Sequence, residues 1–404
     1  MRNNFGKIFL LLLAGYVGFL FGNRKLQWSF RNYKPAIVLN KEVPTNTNAD
    51  FSMFWVVWDK LSREYVDKKA LDAQKMVQGA ISGMVSALGD PYTVYLPPTQ
   101  NKEAKADLAG EFEGVGIQLG YKNDILTVIA PLPGTPAEKA GVLAGDLILH
   151  IKDDQKKIDQ STDNLAISQA VAMIRGPKNT TVQLILGREG ANEPIKVDLI
   201  RQTIINKSVK LKIIEKDNKK IAHLSLYQFG DRTEAEWQEA VDQIIAQCSV
   251  LSAQCKGIIL DLRNNPGGYL EGAVYVASEF IPAGKTVVTQ ADGVGNKDNL
   301  KVNRNGRLLK NKMVVLVNEG SASAAEILSG ALQDYKRAKI VGVKSFGKGS
   351  VQMPQDFADG SGIHITVARW LRPSGDWIDK IGIIPDVEVV AEPDVQLQKA
   401  IEML

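Results

Sequence analysis

The sequence contains few of the residues that form metal sites and disulfide frameworks. Its 404 residues include two cysteines and three histidines, and no HExxH motif occurs. Two cysteines cannot form a disulfide scaffold, and these few residues do not make the Cys/His clusters of structural zinc sites. We therefore predict neither a metal nor a cofactor. For Cys248 and Cys255 two interpretations stay open, a single disulfide and a pair of free thiols.

The net charge is also small. The chain has 49 Lys and Arg residues against 45 Asp and Glu residues, a net charge of +4 without a basic cluster. A nucleic-acid partner is therefore not predicted. With 45% apolar and 23% charged residues the composition is that of a globular protein. At about 150 residues per domain, the length predicts two or three domains.

The N-terminus carries the pattern of an export signal. A charge-free apolar run from Ile8 to Gly22 follows a short basic segment. A helix that spans a membrane needs about 20 apolar residues, and this run is shorter. However, no small-residue cleavage site follows it, as would be expected for a signal peptide that is removed. We interpret residues 1–25 as an uncleaved signal anchor and the polar residues 26–49 as a linker. The prediction is a single-pass membrane protein whose folded part is extracytoplasmic, and a cleaved, secreted form is the alternative.

Residues 50–106 are predicted to form a helical region. Apolar residues recur at three- and four-residue spacing from Phe51 to Tyr65 and again from Val77 to Leu88, which indicates two amphipathic helices. We interpret the aromatic stripe of the first helix, including Trp55 and Trp58, as core and not as a ligand site.

Residues 107–203 form the next predicted unit, which resembles a PDZ domain. The resemblance rests on the segments Pro136 to Val142 and Gly145 to Ile151. The unit opens with a glycine loop whose backbone N–H groups would bind a peptide carboxylate, and the strand after it would accept the peptide by strand addition. The predicted peptide-binding residues are Gly114, Val115, Gly116 and Ile117. In the alternative interpretation the glycines only form a tight turn.

Arg175 follows the helix predicted from Asn164 to Met173. Two interpretations of this residue are open. It either links the domain to the core that follows it, in a regulatory contact, or forms a solvated helix end.

Strands and helices alternate after residue 204. A buried strand from Lys256 to Leu262 leads into the turn with Gly267 and Gly268, and the strand Met313 to Val317 meets a predicted helix that begins near Ser323. Turns from strands into helices place free N–H groups and the positive helix end at one edge of a sheet. This edge is where an oxyanion would bind.

The second turn carries two serines, Ser321 and Ser323, among small residues. A serine hydroxyl needs a base, and Lys348 is the candidate, although roughly one lysine in 2,500 is neutral at pH 7. Burial would lower the pKa of this amine. If the segment is extended, Gln352 lies on the same face as Lys348 and would orient it. The spacing alone does not decide between the two serines.

These motifs together resemble the carboxyl-terminal processing proteases, the tail-specific S41-type Ser-Lys endopeptidases, from about residue 50 to residue 404. The resemblance implies a multidomain α+β and α/β fold, with a helical N-terminal region, an inserted PDZ domain and a crotonase-like protease core over residues 204–404. It further implies that Ser323 is the nucleophile, Lys348 the general base and Gln352 its orienting partner. The implied oxyanion hole consists of the N–H groups of Ala324 and of the turn with Gly267 and Gly268.

The predicted function is that of a serine endopeptidase that binds the apolar C-terminal tails of proteins and cleaves them through an acyl-enzyme. A regulatory partner or a homo-oligomer would fit this family. One alternative enzyme uses a Ser-His-Asp triad, but His150, His223 and His364 are interpreted as structural histidines. The alternative of another class is an inactive scaffold that only binds peptides, against which the intact Ser323, Lys348 and Gln352 argue.

Overall fold

The computed structural model describes residues 26–31, 34–39, 50–122, 125–163, 165, 167–247, 255–390 and 392–404. The chain divides into two compact units, Met1–Met76 and Val77–Leu404.

The first unit contains a hairpin followed by helical segments. The elements are β1 (Leu26–Arg31), β2 (Lys34–Leu39), α1 (Ser52–Glu64), a 3₁₀ turn (Lys68–Ala70) and the start of α2 (Ala73–Ser86). Strands β1 and β2 pair in an antiparallel arrangement, with Trp28 opposite Ile37 and Phe30 opposite Pro35. Aromatic and β-branched residues favour extended chain, so part of the predicted linker is a hairpin and not irregular.

The aromatic stripe of α1 is exposed within the described structure. No residue of α1 is buried, and Trp55 is 61% exposed. The rings of Phe54 and Trp55 contact each other edge to face, with centroids 5.0 Å apart. The prediction of a helix is confirmed, but the assignment of its stripe to the core is wrong. Periodicity identifies a helix, whereas burial depends on the elements that pack against it.

The predicted localisation is also corrected. Among the residues that the structure describes, no helix is long and apolar enough to cross a bilayer, which contradicts the single-pass membrane prediction. The segment from which that prediction was made, Ile8 to Gly22, lies outside the described residues.

The second unit begins with the end of α2, a short strand and a helix, and then forms the sheet predicted as a PDZ domain. Its first elements are β3 (Val94–Leu96), α3 (Pro98–Leu108), β4 (Glu111–Gly114), β5 (Ile117–Lys122), β6 (Ile125–Pro131), α4 (Pro136–Lys139), β7 (Leu147–Asp153), β8 (Ile158–Ser161), α5 (Ile167–Ile174), β9 (Thr181–Gly187), β10 (Ile195–Ile200) and β11 (Gln202–Ile205). The strand order β10-β9-β7-β6-β5 leaves β5 at an edge, and β4 pairs with β11. The alternating burial of β9, whose Val182, Leu184 and Leu186 are fully buried, shows one face packed on a core.

The rest of the unit contains two further sheets. Its elements are β12 (Val209–Lys216), β13 (Lys219–Leu226), α6 (Thr233–Gln247), β14 (Cys255–Asp261), α7 (Leu270–Ala277), β15 (Thr286–Asp292), β16 (Lys297–Lys301), β17 (Met313–Val317), α8 (Ala324–Asp334), β18 (Lys339–Gly342), β19 (Ser350–Asp356), β20 (Gly362–Leu371), β21 (Val387–Glu388) and α9 (Pro393–Met403). The larger sheet has the order β12-β13-β14-β17-β18-β21, and the other has the order β16-β15-β20-β19 with β3 paired to β20.

The larger sheet brings the two predicted turns together. Strands β14 and β17 are adjacent and parallel, and all five residues of β17 are buried, as expected for a parallel strand covered on both faces. Their carboxyl ends therefore lie at the same edge of the sheet, where open α/β sheets bind ligands. The turns with Gly267 and with Ser323 follow these two ends.

Candidate active site

Polar contacts hold the turns after β14 and β17 together as one surface. The side-chain amide of Asn318 donates to the side-chain oxygen of Asn264 at 2.8 Å, and the backbone N–H of Ala322 donates to the carbonyl of Asn265 at 2.9 Å. Asn264 adopts a φ of 58°, a left-handed conformation that asparagine tolerates better than most residues. The two strand ends thus form a single platform.

The two serines of the second turn have different environments. Ser321 is fully buried, and its hydroxyl donates to the carbonyl of Leu262 at 2.8 Å and accepts from the N–H of Asn318 at 3.0 Å. Ser323 is the residue before α8, and its backbone has φ 53° and ψ −116°. Such a conformation costs a non-glycine residue about 1–3 kcal/mol and is typical of functional sites. The hydroxyl of Ser321 is thus used to build the turn, and Ser323 has the strained geometry of a nucleophile turn.

Glu326 connects the serine turn to the lysine segment. Its fully buried carboxylate accepts hydrogen bonds from the backbone N–H groups of Ser323 (2.9 Å), Gly347 (2.6 Å) and Lys348 (2.9 Å), and from the Ser345 hydroxyl (2.5 Å). The sequence analysis missed this residue. The sequence pattern that predicts a role for Glu326 is a serine followed three positions later by glutamate at the start of a helix, which is the spacing of a capping box.

Lys348 is fixed by its backbone and partly removed from water. Its carbonyl accepts a 2.7 Å hydrogen bond from the indole of Trp370, and its Nζ lies 5.0 Å from the ring centroid of Tyr92. Burial lowers the pKa of the Lys348 amine, and the nearby carboxylates of Asp90 and Glu326 offset part of this effect. The environment therefore favours the neutral amine that a base requires.

Gln352 is held by two hydroxyl groups, and its role as the partner of Lys348 stays a prediction. Its side-chain amide donates to the hydroxyls of Ser350 at 2.9 Å and Thr366 at 3.1 Å. Within the described residues it makes no hydrogen bond with Lys348. Strand β19 begins only at Ser350, and its pairing with β20 shifts register between Val351 and Gln352, so a simple period of two does not apply.

The glycine turn lies directly beside Ser323. A Cβ atom placed on Gly267 would come within 2.7 Å of the Ser323 Cβ and 3.0 Å of the Ala324 backbone nitrogen. The N–H of Gly267 donates to the side chain of Asn265 at 2.9 Å. Among the described residues, the N–H groups of Gly268 and Ala324 have no acceptor. Of the three N–H groups predicted for an oxyanion hole, these two are therefore unpaired within the described residues.

A cavity of about 640 Å³ opens beside this turn. Tyr269, which follows the two glycines, forms part of its lining together with Tyr275 and Leu300. Asp231 and Glu271 also line it. The cavity offers space for substrate side chains beside Tyr269, which follows the glycine turn.

The histidines do not complete a serine triad. His223 approaches Asp261 at 3.0 Å, which resembles part of a triad, but this carboxylate is also held by an arginine side chain. His150 pairs with a carboxylate in the predicted PDZ segment, and His364 lies within β20. In the part of the chain that the structure describes, none of the three is hydrogen-bonded to Ser323. Lys348, whose backbone N–H bonds to the same Glu326 carboxylate as the N–H of Ser323, therefore stays the predicted base.

The predicted peptide loop, Gly114 to Ile117, precedes the edge strand β5. No described residue accepts a hydrogen bond from the N–H groups of Val115 and Gly116. Gly116 has a φ of 77°, and a Cβ there would lie 2.4 Å from the side chain of Thr135, so only glycine fits. Free N–H groups beside an open strand edge are what carboxylate capture and strand addition need.

Arg175 folds back onto neighbouring elements. Its guanidinium lies 4.5 Å from the ring centroid of Phe112 in β4 and 3.9 Å from the carboxylate of Asp107 in α3. These contacts join the helix end to β4 and α3, and a link to the core after residue 204 stays a prediction. For the cysteines, Cys248 and the side chain of Cys255 lie outside the described residues.

Three segments of the chain match models of known families. Residues 220–389 match the model for peptidase family S41, and residues 104–186 match the PDZ domain model. Residues 12–99 match the model described as the activating protease CtpB N-terminal domain. A carboxy-terminal-processing protease of Bartonella bacilliformis is 37% identical over 365 residues, which cover 88% of this chain and 80% of the relative.

The chain belongs to peptidase family S41. The carboxy-terminal processing protease CtpA of Bacillus subtilis is 35% identical to this S41 chain over 351 residues, 87% of this chain and 71% of the relative. Among solved structures, the photosystem II D1 C-terminal processing protease is 31% identical with a TM-score of 0.50, and the match covers 83% of this chain and 92% of that one. A putative S41 protease from Bacteroides fragilis, 18% identical, shares the fold with a TM-score of 0.55 over 88% and 94% of the two chains.

The family and the fold class predicted from the sequence are thereby confirmed. The S41 chain is a multidomain protein of mixed helices and sheets, with an N-terminal domain, a PDZ domain and an S41 protease domain. It is a member of the carboxy-terminal processing proteases, and the presence of a PDZ domain indicates peptide binding.

Proposed function

We propose that this S41 peptidase is a serine endopeptidase with a Ser323–Lys348 dyad. The observation that carries the proposal is the placement of Ser323 in a strained turn beside two free N–H groups, with Glu326 connecting that turn to Lys348. The neutral Lys348 amine takes the proton of the Ser323 hydroxyl as the oxygen bonds to the peptide carbonyl carbon. The N–H groups of Gly268 and Ala324 stabilise the oxyanion, and Gly267 permits the close approach of the turn.

Collapse of this intermediate breaks the peptide C–N bond. The amine product leaves with the proton from Lys348, and the acyl group stays on Ser323 as an ester. Water then attacks the ester, with Lys348 again as base. The C–O bond to Ser323 breaks, Lys348 returns the proton to the serine oxygen, and the carboxylic acid product leaves. In this proposal Gln352 supports the site through the hydroxyls of Ser350 and Thr366.

The substrates in this proposal are proteins with accessible apolar C-terminal tails. The loop Gly114 to Ile117 binds the terminal carboxylate through its N–H groups, and the tail adds to the edge of β5. Arg175 connects the PDZ helix to α3 and β4 and couples the domain to the elements before it. We assign the helical region to residues 50–106, the PDZ domain to 107–203 and the protease domain to 204–404.

The pH dependence of cleavage tests the dyad. Hydrolysis of an unfolded protein such as casein should rise with pH, because only the neutral Lys348 accepts the serine proton. Burial lowers the pKa of Lys348 from 10.5, so kcat/KM should follow a single ionisation below that value. A profile that is flat between pH 5 and 10 would contradict the role of Lys348. Absence of any cleavage would instead favour the inactive scaffold.

The C-terminal carboxylate of the substrate tests the PDZ assignment. A long substrate with an amidated apolar tail should be cleaved about 10- to 150-fold less efficiently than the same substrate with a free tail, because a charge-assisted hydrogen bond contributes about 1.5–3 kcal/mol. The comparison uses kcat/KM at concentrations below KM, and short peptides cut without docking serve as the control. Equal rates for the two long substrates would show that the loop does not bind the terminus.

A further inference from the structure

The turn that precedes β3 reaches the active site from outside the segment that matches the S41 family. Residues Asp90 to Thr93 lie before the PDZ domain, whereas the S41 match begins at residue 220. Strand β3 pairs with β20, with Val94 opposite His364. Asn101 reinforces this contact, because its side chain donates to the Asp356 carboxylate at 2.9 Å. The turn is thus fixed on the β19–β20 hairpin.

Two side chains of this turn face Lys348. The Lys348 Nζ lies over the ring of Tyr92, 5.0 Å from its centroid, a distance at which an ammonium is attracted to the ring face. The carboxylate of Asp90 acts on the same amine electrostatically, as does that of Glu326. One side of the lysine is therefore covered by the N-terminal turn and another by the protease domain.

A chain of hydrogen bonds also connects Asp90 to Gln352. The Asp90 carboxylate accepts from the Thr93 hydroxyl at 2.6 Å and from the Tyr92 N–H at 3.0 Å. The Thr366 hydroxyl accepts from Gln352 at 3.1 Å, and the Thr366 N–H donates to Thr93 at 3.0 Å. Gln352 therefore lies at the end of a network that begins at Asp90.

We propose that Asp90 and Tyr92 are positioning residues for Lys348, supplied by the N-terminal domain to a base that belongs to the protease domain. The inference depends on the proposed role of Lys348 as the base. Asp90 and Tyr92 do not touch the reacting atoms; they hold the amine and set its basicity. The complete base site thus requires residues from two domains.

The charges around Lys348 fix the sign of the expected effect. Burial favours the neutral amine, while the carboxylates of Asp90 and Glu326 favour the ammonium. His364 is a further titratable group near Lys348. Burial lowers the pKa of His364, and the charge of Lys348 lowers it further. Asp379 faces the Tyr92 side of the site and accepts from the N–H of Gly349 at 3.3 Å. Removal of the negative charge of Asp90 destabilises the ammonium form of Lys348, which makes the Lys348 amine a weaker base.

The test is the pH profile of kcat/KM for variants of the full chain. Asp90→Asn keeps the shape of the side chain but removes its charge, so the midpoint should move to lower pH by on the order of one unit, and the plateau at high pH should fall. Tyr92→Leu, which removes the ring, should shift the midpoint in the same direction. Tyr92→Phe keeps the ring and should therefore have the same midpoint as the wild type. Glu103→Gln, at an exposed glutamate of α3, is the matched control for loss of one charge.

A merely structural role for the turn would give a different result. Rates would then fall equally at every pH with the midpoint unchanged, and that outcome, or unchanged profiles, would overturn the inference. If Asp90→Asn does not fold, the inference is tested by the midpoints of Tyr92→Leu and Tyr92→Phe alone. Lys348→Arg, measured in parallel, separates the two proposals. Activity in Lys348→Arg refutes the dyad itself, whereas an inactive Lys348→Arg with unshifted Asp90 and Tyr92 variants refutes only this inference.

Discussion

The Ser323→Ala protein is expected to fold and to cleave its substrates about 10⁴- to 10⁶-fold more slowly than the wild type, the usual loss when a protease nucleophile is removed. The Ser323 backbone N–H still donates to Glu326, so the turn itself should persist. The measurement is kcat/KM on an unfolded protein, with thermal melting to verify the fold. Residual cleavage would come from the oxyanion donors alone.

Ser321→Ala is the matched control for this change. The hydroxyl of Ser321 bridges Leu262 and Asn318 within the buried turn, so its removal should lower the free energy of unfolding by about 1–3 kcal/mol. The folded Ser321→Ala protein should keep Ser323 as its nucleophile and should cleave substrates at a rate close to that of the wild type. The reverse pattern, an active Ser323→Ala and a folded but inactive Ser321→Ala, would transfer the role of nucleophile to Ser321.

The Lys348→Arg protein is expected to lose activity by several orders of magnitude, about 10³-fold or more. Arginine keeps a positive charge but does not give up its proton at accessible pH, so it cannot act as the base. Raising the pH should not restore cleavage, in contrast to the wild type. The measurement is kcat at pH 7 and pH 10 on folded protein.

Lys344→Arg is the control for this substitution. Lys344 lies in the same loop but is exposed, and its replacement should leave the pH profile unchanged. Near-normal turnover by a folded Lys348→Arg protein would exclude Lys348 as the base and leave Ser323 without an identified partner.

Local motifs were sufficient to predict the central elements of the protease. The strand Met313 to Val317 and the helix after Ser323 follow from an apolar run and a turn of small residues, and both are confirmed. Adjacent parallel strands then bring the Gly267 turn to Ser323. This step is also predictable, because consecutive turns of such a sheet share one edge.

Contacts between segments far apart in the sequence could not be predicted in this way. Asp90 and Tyr92 reach Lys348 only because β3 pairs with β20, and no local sequence pattern predicts that pairing. The hydrogen bonds of Gln352 to Ser350 and Thr366 depend on the register shift between β19 and β20, which the sequence of one strand does not show. For the same reason the period of α1 identified a helix without showing whether Trp55 is covered.

The most direct test of the Ser323–Lys348 dyad is covalent trapping of the nucleophile. The full-length protein is treated with a serine-reactive peptidyl phosphonate, and the modified residue is mapped by mass spectrometry at several pH values. We predict that Ser323 alone carries the label, that the labelling rate rises with pH through an ionisation below 10.5, and that Lys348→Arg labels at least about 10³-fold more slowly. Labelling of Ser321, or equal labelling rates in the wild type and Lys348→Arg, would contradict the dyad.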